Sequence, residues 1–131
     1  MTALDIIREH YAASDRGDLP AMISPLASTV EWTEMAGFPY AGTYLGPDQV
    51  VANVFGRIAE EWDGYRADPE SFVADGDQVV AFGVYSGTYR ATGRFMRARF
   101  VHHWQLRDSQ VVRFEQYTDT ALVQAAIRAE A

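Results

Sequence analysis

The feature that most limits the fold is a series of four strand-like segments in the second half of the chain, divided by three turn signals. Asp75-Gly76-Asp77, Thr92-Gly93 and Asp108-Ser109 separate stretches rich in Val, Phe, Tyr and Arg. Strands joined by such short turns pair antiparallel. The chain reads as helix, helix, strand, helix, four antiparallel strands and a closing helix. Helices ahead of a long meander imply an α+β fold with the helices on one face of the sheet. A strongly curved sheet packed on a long helix leaves a concave interior suited to a small molecule.

The other elements follow from local signals. Thr2 and Asp5 form a helix-capping pair, with Asp in place of the usual Glu. Leu4, Ile7, Tyr11 and Ser14 recur at helical spacing, with Ile6 and His10 alongside, until Gly17. Asp18 caps a short second helix that tolerates Pro20 in its first turn and ends near Pro25. Residues 29–34 alternate, so Val30, Trp32 and Glu34 share one strand face. Residues 35–44, rich in aromatics and glycine, read as a loop or lid. Gly46-Pro47-Asp48 opens a third helix with a buried stripe of Val51, Val54, Phe55, Ile58 and Trp62, stopped by Gly64. A last helix is expected over residues 120–129, with Leu122, Val123, Ala126 and Ile127 packing back.

At 131 residues the chain is expected to form a single domain over 1–131. It has no cysteine, which excludes disulfides and thiolate metal sites and fits a cytoplasmic setting. A net charge of -7 and a pI near 4.8 argue against a nucleic-acid partner. Asp5, Arg8 and Glu9 interrupt the first apolar run, so no signal peptide is expected. No apolar stretch is long enough to cross a bilayer, so no membrane partner is expected. Phosphate-cradling glycine loops are missing, and the 3 histidines lack ligand spacing. Neither a cofactor nor a metal is expected. Gly83-Val-Tyr-Ser-Gly87 loosely matches a nucleophile elbow but lies within a strand.

Strand alternation sorts the chemical candidates. Phe100, His102 and Trp104 share a face taken as interior, while Arg97, Arg99, His103 and Gln105 share the other. On the last strand Val112, Phe114, Gln116 and Thr118 should line the interior, because Arg113 and Glu115 lie opposite with Tyr117. Glu34 is either a carboxyl among apolar walls, with its pKa raised for proton transfer, or a strand-end glutamate in solvent. His102 is either a proton-handling group or a structural histidine. Asp119 has outward parity and precedes Thr-Ala-Leu, which favours a helix cap over an acid. Trp32, Trp62, Phe82, Tyr85 and Trp104 read as core, several doubling as pocket wall.

Particular residues carry a family resemblance across nearly the whole chain. They are Tyr11-Ala-Ala, Gly17-Asp-Leu, Val30-Glu-Trp-Thr-Glu34, Tyr40-Ala-Gly-Thr-Tyr-Leu-Gly-Pro47, Val73-Ala-Asp-Gly-Asp77, His102-His-Trp104 and Gln116-Tyr-Thr-Asp-Thr120. With the order of elements, they resemble the nuclear transport factor two-like superfamily. More closely, they resemble its SnoaL-like polyketide cyclase and ketosteroid isomerase-related group. The resemblance implies a cone-shaped, curved antiparallel sheet packed against the N-terminal helices, a cystatin-like α+β roll. It also implies a homodimer formed through the outer sheet face.

By the same resemblance Glu34 falls where ketosteroid isomerases carry their aspartate base, and His102 falls near their oxyanion-hole aspartate. His10 falls at their oxyanion tyrosine, with a one-residue shift placing Tyr11 there instead. Limonene epoxide hydrolases carry a catalytic aspartate at the position of Gln116, and a glutamine cannot serve as acid or base. Some SnoaL-like cyclases use a late aspartate, which Asp119 matches in one register. The expected catalytic set is thus Glu34, His102 and Asp119, and the expected pocket is His10, Tyr11, Trp32, Trp104, Phe114 and Gln116. The implied activity is cofactor-free isomerisation, cyclisation or hydration of a small, mostly apolar molecule. The fold also hosts non-catalytic ligand-binding or dimerisation modules, and the sequence leaves that alternative open.

Overall fold

The capping pair forms at the start of the chain. Thr2 Oγ1 accepts from the Asp5 backbone N–H at 3.1 Å, and the Asp5 carboxylate accepts from the Thr2 N–H at 3.0 Å. Together they satisfy two donors that a helix start would otherwise leave unpaired, and they open α1 (Ala3–Asp15). Asp18 then caps the short α2 (Leu19–Ile23) through the Ala21 N–H. The computed structural model describes residues 1–128.

Six strands follow: β1 (Leu26–Glu34), β2 (Gly42–Leu45), β3 (Trp62–Asp75), β4 (Gln78–Tyr89), β5 (Arg94–Arg107) and β6 (Gln110–Thr118). They form one curved, unclosed sheet in the order β2-β1-β6-β5-β4-β3. The three expected turns join β3 through β6 as an antiparallel meander. The sheet is nevertheless mixed, because β1 returns beside β6 in parallel. That pairing joins the two ends of the chain, so no local turn announces it. Register shifts in β3 at 63–66 and 69–71 mark bulges that bend the sheet. Pro69 sits in this strand at little cost because β3 is an edge.

Two segments depart from the sequence reading. Residues 35–44 are not simply a loop: Gly42–Leu45 is the edge strand β2, paired with β1 from Glu31↔Leu45 to Glu34↔Gly42. Phe38 and Tyr40, just before it, are buried, and the Tyr40 hydroxyl donates to Glu61 at 2.6 Å. Apolar burial anchors this segment to the core. The third helix is also divided, into α3 (Pro47–Val50), a π-helical turn (Val51–Phe55) and α4 (Gly56–Glu61). The Gly56 N–H bonds to the Val51 carbonyl, five residues back. A Cβ on Gly56 would lie 2.8 Å from that oxygen, so glycine permits the wide turn. Trp62 does not belong to the helix stripe; it opens β3, with Gly64 inside the strand.

The core lies between the concave sheet face and the helices, with α1 against β3. Gly83 lets Phe100 lie across β4: a Cβ there would meet the Phe100 ring at 2.5 Å and the Asp68 carbonyl at 2.4 Å. Phe82 was expected in the core but has outer parity and is exposed. α5 (Thr120–Ile127) packs Val123 and Ala126 inward, while Leu122 is exposed rather than packed back. The expected end of that helix at Ala129 lies outside the described residues.

Candidate functional site

The register of the concave face sets two side-chain rows. Glu34 pairs with Gln116, Gln116 with His102, and His102 with Ala81, so a polar row crosses β1, β6, β5 and β4. Beside it runs an apolar row, Trp32–Phe114–Trp104–Val79. With strands about 4.8 Å apart, Glu34 and His102 stand roughly 10 Å from one another, separated by Gln116. The aromatic row is tightly packed: Trp32 stacks on Phe114 at 3.8 Å, and Phe114 tilts onto Trp104 at 4.5 Å.

The rows and the facing helices enclose a pocket of about 470 Å³. His10, Tyr11, Trp32, Glu34, His102, Trp104 and Phe114, all expected site residues, line it. Val54, Phe55 and Ile58 close it from the π turn and α4, and Met22 closes it from α2. The volume suits a small organic molecule, and most of the wall is apolar. Two expected members lie elsewhere. Asp119 caps α5, its Oδ1 accepting from the Leu122 N–H, and is absent from the pocket wall. Gln116 is buried behind the wall, where its Oε1 accepts from the Met35 N–H and its Nε2 donates to the Tyr85 hydroxyl. Its amide holds other groups in place rather than facing a ligand.

Glu34 is 5% exposed. Burial raises its pKa to about 8, because an ionised carboxylate loses its hydration there and no cationic neighbour offsets the loss. The Trp32 indole N–H acts in the opposite sense, but it makes no hydrogen bond of good geometry and is left unpartnered. Nearby, the buried Tyr65 hydroxyl also lacks a partner.

The two buried histidines are occupied differently. His102 is held at both nitrogens: Nδ1 meets the Tyr11 hydroxyl at 2.6 Å and Nε2 meets the Tyr85 hydroxyl at 2.5 Å. Trp104 Nε1 donates to the Tyr11 oxygen at 3.0 Å. Burial pushes the His102 pKa well below 6.5, so the ring is neutral. Burial also lowers His10 to about 4, partly opposed by its Nδ1 contact with the Met22 carbonyl at 3.0 Å. A carbonyl can only accept, so Nδ1 carries the His10 proton and Nε2 is an acceptor. His10 therefore cannot donate to an oxyanion, and His102 has no free nitrogen for one.

Sequence reasoning missed the polar roles of Tyr65 and Tyr85, which both line the pocket. A signal for Tyr85 existed, since the alternation Val79, Ala81, Gly83, Tyr85 aims it inward. Tyr65 carried no such signal, because the bulge between Asp63 and Arg66 resets parity along β3.

A helix-backed, curved, unclosed sheet around one apolar pocket defines the nuclear transport factor two-like fold. The profile of the SnoaL-like domain matches residues 7–114, and the chain belongs to that family. Among solved structures, an NTF2-like protein from Burkholderia thailandensis E264 is 49% identical, covers 98% of each chain and superposes with a TM-score of 0.95. An NTF2-like protein of unknown function from Burkholderia pseudomallei K96243 is 32% identical over 97% of this chain and 98% of that one, with a TM-score of 0.89. TerC, co-crystallised with polyporic acid, is 29% identical over 95% of this chain and 97% of its own, with a TM-score of 0.82. No curated protein matches the chain.

Proposed function

We propose that the chain is a cofactor-free acid/base enzyme acting on a small, mostly apolar, carbonyl-bearing molecule, with Glu34 as the group that moves the proton. The observation that carries this reading is one buried carboxyl without a cationic partner on the wall of an otherwise apolar pocket. A carboxylate there is a stronger base than one in water, and it is desolvated before the substrate arrives. Ionised Glu34 takes a proton from the carbon next to the carbonyl. The C–H electron pair forms the enolate double bond, and the carbonyl oxygen gains the charge. Returning the proton to a different carbon gives isomerisation, and attack of the enolate on an internal electrophile gives cyclisation. Fixed donors in the wall stabilise the developing charge. The co-crystallisation of TerC with polyporic acid supports an organic ligand for this pocket.

The test is Glu34→Gln, which keeps shape and removes the base. Turnover of a carbonyl substrate is expected to fall by about 10³-fold or more with the fold retained, as for loss of a general base. Unchanged turnover would sink the assignment. The competing reading is a non-catalytic binding module, favoured by the engagement of both His102 nitrogens. Saturable ligand binding with no turnover under any condition would select it.

The proposal extends to assembly and setting. Phe82, Val101 and Tyr117 form a row across the outer face of β4, β5 and β6, and Phe82 and Tyr117 are exposed. A homodimer through this face would cover them. Sedimentation should give twice the 14.6 kDa chain mass, and a Tyr117→Arg variant should sediment as a monomer. No described helix is long and apolar enough to cross a membrane. A cytoplasmic setting is part of the proposal, and cell fractionation checks it.

A further inference from the structure

The hydrogens of the buried row can be counted. His102 meets one tyrosine at each ring nitrogen. A neutral imidazole has one N–H and one acceptor nitrogen. One contact is therefore donated by His102 and the other by a tyrosine hydroxyl. The tyrosine that accepts from His102 keeps its own hydrogen unused. Its other partner cannot take that hydrogen, because Trp104 Nε1 and Gln116 Nε2 are both donors. The row thus carries one surplus hydroxyl hydrogen, on Tyr11 or on Tyr85, and both residues line the pocket.

The surroundings decide between them. Apart from His102, the Tyr11 hydroxyl is hydrogen-bonded to Trp104 Nε1, and its ring packs among Phe72, Phe100, Trp104 and His10. The Tyr85 hydroxyl lies on the carboxyl side. It bonds to Gln116, the register partner of Glu34. A surplus hydrogen on Tyr85 therefore lies on the side of the pocket where a substrate carbonyl would meet Glu34.

We propose that Tyr85 is the donor that receives the ligand's carbonyl oxygen, and that His102 is a positioning residue: His102 Nε2–H donates to Tyr85, Tyr11 donates to His102 Nδ1, and the Tyr85 hydrogen is freed for the ligand. This deepens the acid/base reading above and rests on it only for the chemistry that follows binding. The ligand class is a neutral ketone, most simply an aryl ketone, whose ring lies on the Trp32–Phe114 wall.

Two measurements on the whole chain test it, and neither needs turnover. The first is the ¹⁵N spectrum of the His102 ring near neutral pH, where Nε2 should be protonated and Nδ1 bare. Protonation on Nδ1, or on both nitrogens, would overturn the assignment. The second uses acetophenone labelled with ¹³C at its carbonyl. Its resonance should move downfield on saturable binding. Tyr85→Phe should abolish the shift and weaken binding about ten-fold, whereas Tyr11→Phe, which keeps the donor to the ligand, should retain the downfield shift. No saturable binding to the native protein, or a shift that survives Tyr85→Phe and vanishes in Tyr11→Phe, would overturn the proposal. Glu34→Gln should leave the His102 tautomer unchanged, so failure of the base and failure of the donor are read separately.

Discussion

Glu34 is protonated at neutral pH because the fold gives its charge no hydration and no cation. That protonation links to stability with a definite sign. Below pH 4.5 the carboxyl is protonated in both folded and unfolded chains and contributes no difference. Between 4.5 and about 8 the unfolded chain ionises while the folded one does not, so stability falls as pH rises. Above about 8 the cost levels off, on the order of a few kcal/mol. Glu34→Gln should therefore be as stable as the native chain near pH 4 and more stable near pH 9, as urea denaturation would show. An equal difference at both pH values would contradict this. Turnover by an ionised Glu34 should rise with pH to a plateau above about 8. A rate that falls over that range would make Glu34 the acid instead. The inward parity of Glu34 and His102 was legible from alternation alone. The engagement of both His102 nitrogens was not, because face assignment does not say which hydroxyls reach across from α1 and β4.

At the scale of the element, turns and caps were the most legible features, since their chemistry is local. The Asp108-Ser109 turn formed as read, with both residues at positive φ, 50° and 65°. L-residues are strained there, so Ser109→Gly should stabilise the chain by about 0.5–1 kcal/mol in thermal unfolding. Gly83→Ala should have the opposite effect. Its Cβ would collide with the Asp68 carbonyl and the Phe100 ring, costing about 2 kcal/mol or more and loosening β3 from β4. Asp119 shows how a local rule outweighs a resemblance: its carboxylate caps α5 and is not part of the pocket wall. The third helix was misjudged at its end because Trp62 satisfies helical and strand periodicity at once. Its burial against Tyr65 and Tyr89 serves the strand.

At the scale of the whole molecule, the meander and helix order disclosed the α+β class. The parallel β1–β6 contact did not appear, because pairing between distant segments depends on register rather than on a turn. That contact brings Glu34 beside Gln116 and so creates the polar row. The row and His10 together set a pH profile for the native state. His10 and His102 stay neutral when folded, so stability is lost as pH falls below 6.5, where the unfolded histidines take up protons. Glu34 contributes the opposite slope as pH rises from 4.5 to about 8. Two histidines outweigh one carboxyl below 6.5, so the contribution of these groups is greatest near pH 6.5. Thermal unfolding across pH 4 to 9 should show that maximum, and the fall above it should disappear in Glu34→Gln.

The account stands on a single carboxyl whose proton is held by burial. A ¹³C titration of the Glu34 side-chain carboxyl in the native protein measures this directly. The midpoint should lie at about 8. A midpoint near the ordinary value of 4.5 would show a hydrated carboxylate and contradict the central claim.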